Sequence, residues 1–117
     1  MNAKRTLGNA GEDAALKYLK KRGYALMRRN YRAERCEIDL IMRDGQTVVF
    51  VEVKARTGDR YGLGREAVTA VKQENILRAA KHYLMKNRLF QSPVRFDVAE
   101  FDATTGTVVH IVNAFCE

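Results

Sequence analysis

The chain has 117 residues, of which 46% are hydrophobic and 30% are charged. This balance excludes an intrinsically disordered chain and fits one small globular domain. Lysine and arginine number 21 against 14 acidic residues, a formal charge of +7 that favours polyanionic partners, nucleic acid first. A protein that is merely basic is the plain alternative.

Cysteine usage and the absence of long apolar runs point to the cytoplasm. Cys36 and Cys116 lie far apart and form neither a paired metal-ligand spacing nor a disulfide framework, so reduced thiols are the simplest account. No apolar run reaches the roughly 20 residues of a membrane helix. The N-terminus also lacks the apolar stretch of a signal peptide. We therefore expect a cytoplasmic protein without membrane association.

The N-terminal half is predicted as one helix followed by three strands. Helical spacing of apolar residues predicts a helix over Asn9–Lys21, ended by Gly23. A less regular strand follows at Tyr24–Arg32. The segments Glu37–Met42 and Val48–Lys54 read as two strands of a hairpin, because they flank Asp-Gly, a strong turn signal.

The C-terminal half is predicted as a loop, a long helix and two strands. Thr57–Gly64 is rich in glycine, and the helix is predicted over Glu66–Asn87. Strands are predicted at Val94–Phe101 and Thr107–Ala114. The apolar side of the long helix is assigned to Val68, Val71, Ile76, Ala79, Ala80 and Tyr83. The order α-β-β-β-α-β-β indicates an α/β protein, a mixed sheet flanked by helices.

The predicted hairpin gathers charged side chains on one face. With Asp44-Gly45 as a two-residue turn, Ile41 lies opposite Val48 and Asp39 lies opposite Phe50. Because side chains alternate across a strand, one face then carries Glu37, Asp39, Glu52 and Lys54. The other face is the expected core face, with Ile38, Leu40, Met42, Val49, Val51, Val53 and Ala55. A turn of three residues would break this arrangement.

Carboxylates that converge on a sheet surface repel one another unless a proton, a cation or a metal ion intervenes. Asp39 and Glu52 are close enough in the predicted hairpin to share an ion, and hard oxygen ligands suit Mg²⁺ or Mn²⁺. Lys54 lies on the same face, where it can orient or help deprotonate a water molecule. Two roles fit Glu37, a further ligand or a surface carboxylate that tunes Lys54, and the second is the favoured interpretation. An ordinary solvated polar face explains the same pattern comparably well.

Six motifs, taken in order, resemble the YraN-like family of uncharacterised bacterial proteins. They are GNAGEDAALKYLKKRGY, RRNYR, CEIDLIMRDG, VVFVEVKAR, AVTAVKQENILRAAKHYL and VRFDV, and they span nearly the whole chain. That family is similar to the PD-(D/E)XK, or restriction-endonuclease-like, superfamily and to archaeal Holliday-junction resolvases. The resemblance implies a restriction-endonuclease-like domain over residues 1–117 with an α-β-β-β-α-β core.

The resemblance also implies roles for individual residues. Asp39 matches the superfamily aspartate, Glu52 the second acidic ligand and Lys54 the lysine of the E-x-K element, so these three are the expected catalytic residues. Glu12 matches the helix glutamate that completes the metal site, although a contact with the helix dipole is an alternative role for it. One departure is Cys36, which stands where the family usually has glycine.

Several basic residues are candidates for binding nucleic acid. Lys72 falls within the apolar side of the long helix, and a buried lysine is costly unless it is paired. We therefore expect Lys72 to reach the carboxylates or a DNA phosphate, unless its stem simply extends to solvent. Arg56, Arg60 and Arg65 surround the glycine-rich loop and are expected to contact a phosphate backbone, with a solvated loop as the alternative.

The sequence thus predicts a Mg²⁺- or Mn²⁺-dependent phosphodiesterase that acts on DNA, in particular branched or structured DNA. One rival hypothesis is a nucleic-acid-binding module that has the same fold but no turnover. Another is a protein-interaction scaffold whose basic surface is incidental. A homodimer is expected only by analogy with resolvases, which must cut two strands.

Overall fold

The computed structural model describes residues 3–33, 35–56 and 69–115, and in it five strands form one sheet flanked by two helices. The strands lie in the order β1-β2-β3-β4-β5; β3 and β4 are parallel and the other neighbours are antiparallel. This confirms the predicted element order. The elements are α1 (Ala3–Lys21), β1 (Ala25–Ala33), β2 (Cys36–Asp44), β3 (Thr47–Arg56), α2 (Ala70–Lys86), β4 (Val94–Asp102) and β5 (Thr107–Phe115).

Each face of the sheet carries its own hydrophobic core. The face covered by α1 contains Ala15, Leu19, Leu40, Met42, Val49, Val51 and Ala99. The face covered by α2 contains Ile41, Val48, Phe50, Ile76, Ala79, Ala80, Tyr83, Phe96 and Val98, among others. The prediction of a single core face was therefore incomplete. The face that bears Asp39 and Glu52 continues into the core beneath α2, so its carboxylates sit beside apolar packing instead of open solvent.

Helix α1 approaches the sheet closely and ends where the sequence predicts. Gly23 has a φ of +94°, and the backbone N–H of Tyr24 donates to the carbonyl of Leu19, which confirms the glycine stop. The helix begins at Ala3, earlier than the predicted Asn9. Gly11 is buried against β3, where an added Cβ would lie 3.2 Å from the Cβ of Ala55. This close contact determines how near the next residue, Glu12, lies to the sheet.

Helix α2 begins at Ala70 because Thr69 caps it: Thr69 is extended, and its hydroxyl accepts a hydrogen bond from the backbone N–H of Lys72 at 3.2 Å. Residues 66–68 of the predicted helix lie outside the described residues. Val71 is 69% exposed, so its assignment to the apolar side was wrong. It precedes the buried Ile76 by five residues and points elsewhere, whereas Lys72 precedes it by four and faces the sheet.

Among the described residues, no helix has the length and apolar character needed to cross a membrane.

The β2–β3 hairpin turns one residue later than predicted, which shifts the pairing of the two strands by two residues. Asp44 pairs with Thr47 and Ile41 pairs with Phe50, so Gly45-Gln46 forms the turn and the predicted pairing was wrong. Gly45 has a φ of +61° and occupies the first central position, the glycine position of a type II′ turn. Since the pairing shifts by an even number, Asp39 and Glu52 still project from one face. Ile38 was assigned to the opposite face with Leu40 and Met42, but it packs in the core beneath α2 with Ile41. That assignment was wrong, because the regular pairing of β2 with β3 ends at Leu40 and the predicted alternation was extended beyond it. Asp39 now lies opposite Glu52, just beyond the last paired residues.

A buried polar network lies on the α1 side of the sheet, around Asp97 of β4. Asp97 is fully buried, and its carboxylate accepts from Arg95 Nε at 3.0 Å, His110 Nε2 at 2.7 Å and the backbone N–H of Asn113 at 2.9 Å. Although burial opposes ionisation, the hydrogen bonds from His110 and Arg95 outweigh it and lower the pKa of Asp97. Arg95 also donates to the hydroxyl of Tyr24 at 2.6 Å, which ties the end of α1 to the sheet.

Candidate metal site

Three carboxylates from α1 and β2 meet at the open end of the hairpin. One oxygen each of Glu12, Glu37 and Asp39 lies within 4.8 Å of the other two, and we call these residues the acidic triad. Glu37 and Asp39 are two apart on β2 and therefore share a face. The structure thus brings the predicted Glu12 and Asp39 together. It also places Glu37 in the same group, although Glu37 was interpreted as a surface carboxylate.

The carboxylate of Asp39 interacts with the negative charges of Glu52 and Glu12 and with the positive charge of Lys72. Its Oδ2 accepts a hydrogen bond from the backbone N–H of Val53 at 2.8 Å. Burial, and then the charges of Glu52 and Glu12, raise the pKa of Asp39 to about 7, against the opposing effects of the Val53 N–H and Lys72. Near neutral pH this carboxyl group is therefore balanced between its protonated and ionised forms.

Glu52 of β3 is the deepest carboxylate of the site, with 5% of its surface exposed. Its Oε1 lies 2.7 Å from Lys72 Nζ and 3.8 Å from Lys54 Nζ. Its Oε2 is buried and has no hydrogen-bond partner within the described part of the chain. Buried carboxylate oxygens are nearly always satisfied, so this one fits a ligand. Hard oxygen donors from the acidic triad and Glu52 match the preferences of Mg²⁺ and Mn²⁺.

Two lysines next to Glu52 differ in their electrostatics. Burial and the nearby charge of Lys72 lower the pKa of Lys54, in spite of Glu52. Burial also works against the charge of Lys72, but its hydrogen bond to Glu52 and the charges of Glu52 and Asp39 outweigh that effect and raise its pKa. Lys72 is therefore firmly cationic, whereas Lys54 gives up its proton more easily and suits a role in proton transfer.

Asn30 holds two members of the acidic triad together, a role that the sequence analysis missed. In the opposite orientation the amide oxygen of Asn30 would face only carboxylate acceptors, so the amide nitrogen is assigned to that side. There it donates to Glu12 Oε1 at 3.0 Å and to Glu37 Oε1 at 2.9 Å. Its backbone is left-handed, with a φ of +55°, inside strand β1. Residues other than glycine adopt this conformation rarely, and asparagine tolerates it best. Arg29 and Arg32 add ion pairs to the same two carboxylates, at 3.3 and 3.1 Å.

We expect Asn30→Gly to weaken Mn²⁺ binding about tenfold, the lower end of the usual effect of removing a partner that orients metal ligands. Glycine keeps the left-handed backbone and removes only the amide. Asn113→Gly is the matched control, because Asn113 also has a φ of +55° but lies on β5. Isothermal titration calorimetry with Mn²⁺ measures both. Equal affinity in the two variants would show that Asn30 does not organise the site.

An open pocket of about 470 Å³ lies next to these carboxylates. Residues from β2, β3 and the start of α2 line it: Arg35, Cys36, Glu37, Asp39, Glu52, Thr69, Val71, Lys72 and Asn75. Cys36 is a free, half-buried thiol whose pKa is raised, chiefly by burial and also by the charge of Glu52. Cys36, the residue at which the resemblance leads us to expect glycine, therefore forms part of the pocket wall.

The predicted nucleic-acid-binding residues lie in different surroundings, and only some of them are described by the structure. Lys72 lines the pocket and contacts Glu52, while Arg56 lies 2.7 Å from Glu100, a buried carboxylate of β4. Arg60 and Arg65 lie outside the described residues. Arg35 lines the pocket and is exposed, and the side chain of Arg32 on the neighbouring strand is 82% exposed. These two arginines extend the cationic surface and were not predicted.

Comparison with known proteins identifies the family of this chain. The model of the uncharacterised protein family UPF0102 matches residues 11–101. The chain belongs to this family. The UPF0102 match includes the acidic triad, Glu52 and both lysines.

Three curated UPF0102 proteins illustrate the similarity. One from Geobacter metallireducens is 43% identical over 113 residues, which cover 95% of this chain and 93% of that protein. One from Acetivibrio thermocellus is 50% identical over 100 residues, 85% of this chain and 77% of that protein. The protein lpg2994 of Legionella pneumophila is 41% identical over 109 residues, 92% of each chain. The similarity therefore extends over nearly the whole chain.

Proposed function

We propose that this UPF0102 chain is a Mg²⁺- or Mn²⁺-dependent nuclease that hydrolyses phosphodiester bonds in DNA, in particular branched or structured DNA. The observation that best supports the proposal is Glu52 Oε2, a buried carboxylate oxygen without a hydrogen-bond partner among the described residues. Glu52 lines the same pocket as Glu37 and Asp39 of the acidic triad. The succession of one helix, three strands, a helix and a strand is consistent with a restriction-endonuclease-like fold.

Each side chain has a defined role in the proposed reaction. Asp39 and Glu52 would hold the metal ion, and Glu12 would complete its ligands, with Glu37 at their side. The ion would supply Lewis acidity and a lower pKa for bound water. Lys54 would orient the attacking water molecule and accept its proton, a role favoured by its lowered pKa.

The charge of the protein favours a nucleic-acid substrate. The net charge is +7, the exposed Arg35 lines the pocket, and the exposed Arg32 lies beside Arg35. Arginine side chains of this kind bind phosphates without reading bases. A second copy of the chain would supply the second site that cleavage of both strands of a junction requires.

The direct test is incubation of the protein with a labelled four-way DNA junction and with a linear duplex of the same sequence. We expect cleavage with Mn²⁺ or Mg²⁺, none in EDTA, and loss of cleavage in Lys54→Met. Lys86→Met, an exposed lysine at the other end of α2, is the matched control and should cleave normally.

The net charge of +7 also favours a second function, a nucleic-acid-binding module that does not cleave. This module predicts a different result in the same assay. Tight binding of DNA that weakens with salt, without cleavage under any divalent metal, would support the module and contradict the nuclease. Absence of DNA binding at low salt would contradict both and leave the protein-interaction scaffold.

A further inference from the structure

Lys72 reaches into the candidate metal site from the first turn of α2. Its Nζ lies 2.7 Å from Glu52 Oε1, the shortest ion pair that Glu52 makes among the described residues. The Thr69 cap fixes the backbone from which the side chain extends. Yet 41% of the Lys72 side chain is exposed. The ammonium group can therefore move from the carboxylate to solvent by rotation about side-chain bonds, without any change in the fold.

Glu52 is buried and therefore needs a counter-charge close by. A buried carboxylate without one loses the solvation of its charge and gains no partner in exchange. In the metal-free protein Lys72 provides that charge at hydrogen-bond distance, and Lys54 contributes more weakly at 3.8 Å. A divalent ion held by the same carboxylate would place two positive charges beside the ammonium group. Such like charges repel strongly where water is scarce.

We propose that Lys72 is a substitute cation: it holds Glu52 in the metal-free protein and has to leave this carboxylate when a divalent metal ion binds. The inference rests on the metal site of the proposed function. It deepens that function, because the released ammonium group lies at the pocket beside the exposed Arg35, where a nucleic-acid phosphate can bind both. Metal binding would thus prepare the contact with the substrate.

Lys72→Met tests this competition, because methionine keeps much of the stem and removes the charge. Measured in EDTA, its unfolding temperature should lie below that of the wild type, since Glu52 keeps only the more distant Lys54. Measured by calorimetry without DNA, its affinity for Mn²⁺ should be about tenfold higher, a gain of about 1.4 kcal/mol. Lys86→Met is the control: it carries the same substitution about 21 Å further along the helix and should change neither value.

If Lys72→Met folds poorly, two further measurements still test the proposal. Lys72→Arg retains the charge and should bind Mn²⁺ within about twofold of the wild type. In the wild-type protein, the NMR signals of the Lys72 side-chain terminus should shift when Mg²⁺ is added, and those of Lys86 should not. Unchanged Lys72 signals at saturating Mg²⁺ would overturn the proposal.

The outcomes separate this inference from the proposed function. Wild-type protein that binds Mn²⁺, together with Lys72→Met that binds it equally well or more weakly, would overturn the substitute-cation role and leave the nuclease intact. Failure of wild-type protein to bind Mn²⁺ or Mg²⁺ at all would overturn the metal site, and the role of Lys72 with it. Higher affinity and lower metal-free stability in Lys72→Met would support both.

Discussion

Asp39→Asn is expected to abolish metal-dependent cleavage and, at the same time, to stabilise the metal-free protein against unfolding. Without this ligand the rate should fall about a thousandfold or more, because several kcal/mol of transition-state stabilisation are lost at a factor of ten for each 1.36 kcal/mol. The fold should gain stability because the charge of Asp39 is opposed by burial and by Glu52. Asparagine can still accept the backbone N–H of Val53.

The gain in stability from Asp39→Asn should depend on pH. The carboxyl group of Asp39 has a pKa of about 7 in the folded protein against 3.8 ordinarily. Between these values the folded chain binds the proton and the unfolded chain does not, so wild-type stability falls as the pH rises. The free energy of unfolding of Asp39→Asn should exceed that of the wild type by an amount that grows from about pH 4 to about pH 7 and is constant above about pH 7. The full gain should be about 1.4 kcal/mol for each pH unit between the two pKa values.

Urea denaturation at a series of pH values measures this difference, and cleavage assays on the same samples measure the loss of activity. Glu74→Gln is the matched control, since its carboxylate is 72% exposed on α2 and its removal should change stability by less than about 0.5 kcal/mol at any pH. A stability difference for Asp39→Asn that is constant over this range would contradict the raised pKa. Retained cleavage would contradict the role of Asp39 as a ligand.

Asp97→Ala is expected to have the largest effect on stability, a loss of about 3–5 kcal/mol, because it breaks a buried ion pair and leaves one partner behind. Asp97 has no exposed surface, and the side chain of His110, which donates to it, is 3% exposed. The substitution would leave His110 and the N–H of Asn113 without their acceptor, and Arg95 without its buried counter-charge.

Denaturant midpoints at pH 7 measure this loss. The contribution of Asp97 to stability depends on pH in the opposite direction from that of Asp39. The pKa of Asp97 is lowered in the folded protein, so its contribution is complete above the ordinary value of 3.8 and disappears as the pH falls below it. Asp97→Asn keeps the shape and should lose less stability than alanine. A loss below about 1 kcal/mol for Asp97→Ala would show that the network does not stabilise the fold.

The sequence predicts the local part of this architecture well, because periodicity and turn residues act over short distances. The element order, the glycine that ends α1 and the shared face of Asp39 and Glu52 all follow from such signals. Lys72 could be found because it precedes the buried Ile76 by four residues, which is one helical turn. The error in the hairpin register arose because a glycine can occupy either central position of a two-residue turn.

The remaining features depend on contacts that no local pattern encodes. Asn30 reaches the acidic triad only because its backbone is left-handed within a strand, a conformation that the surrounding sequence RRNYR does not indicate. Glu37 joins Glu12 because α1 packs closely at Gly11, across some twenty-five residues of chain. The partners of Asp97 come from β5 as well as from its own strand. Local sequence patterns do not predict such contacts between residues that are far apart in the chain.

The two-residue turn at Gly45-Gln46 restricts how the length of this hairpin can change during evolution. Insertion of one residue between Asp39 and Glu52 would reverse the side on which one carboxylate projects, unless a bulge in either strand absorbs the extra residue. Insertion of two residues would lengthen the hairpin and leave both carboxylates on their present side. Functional descendants of this chain are thus confined to insertions and deletions of even length in that segment, or to odd ones that carry their own bulge.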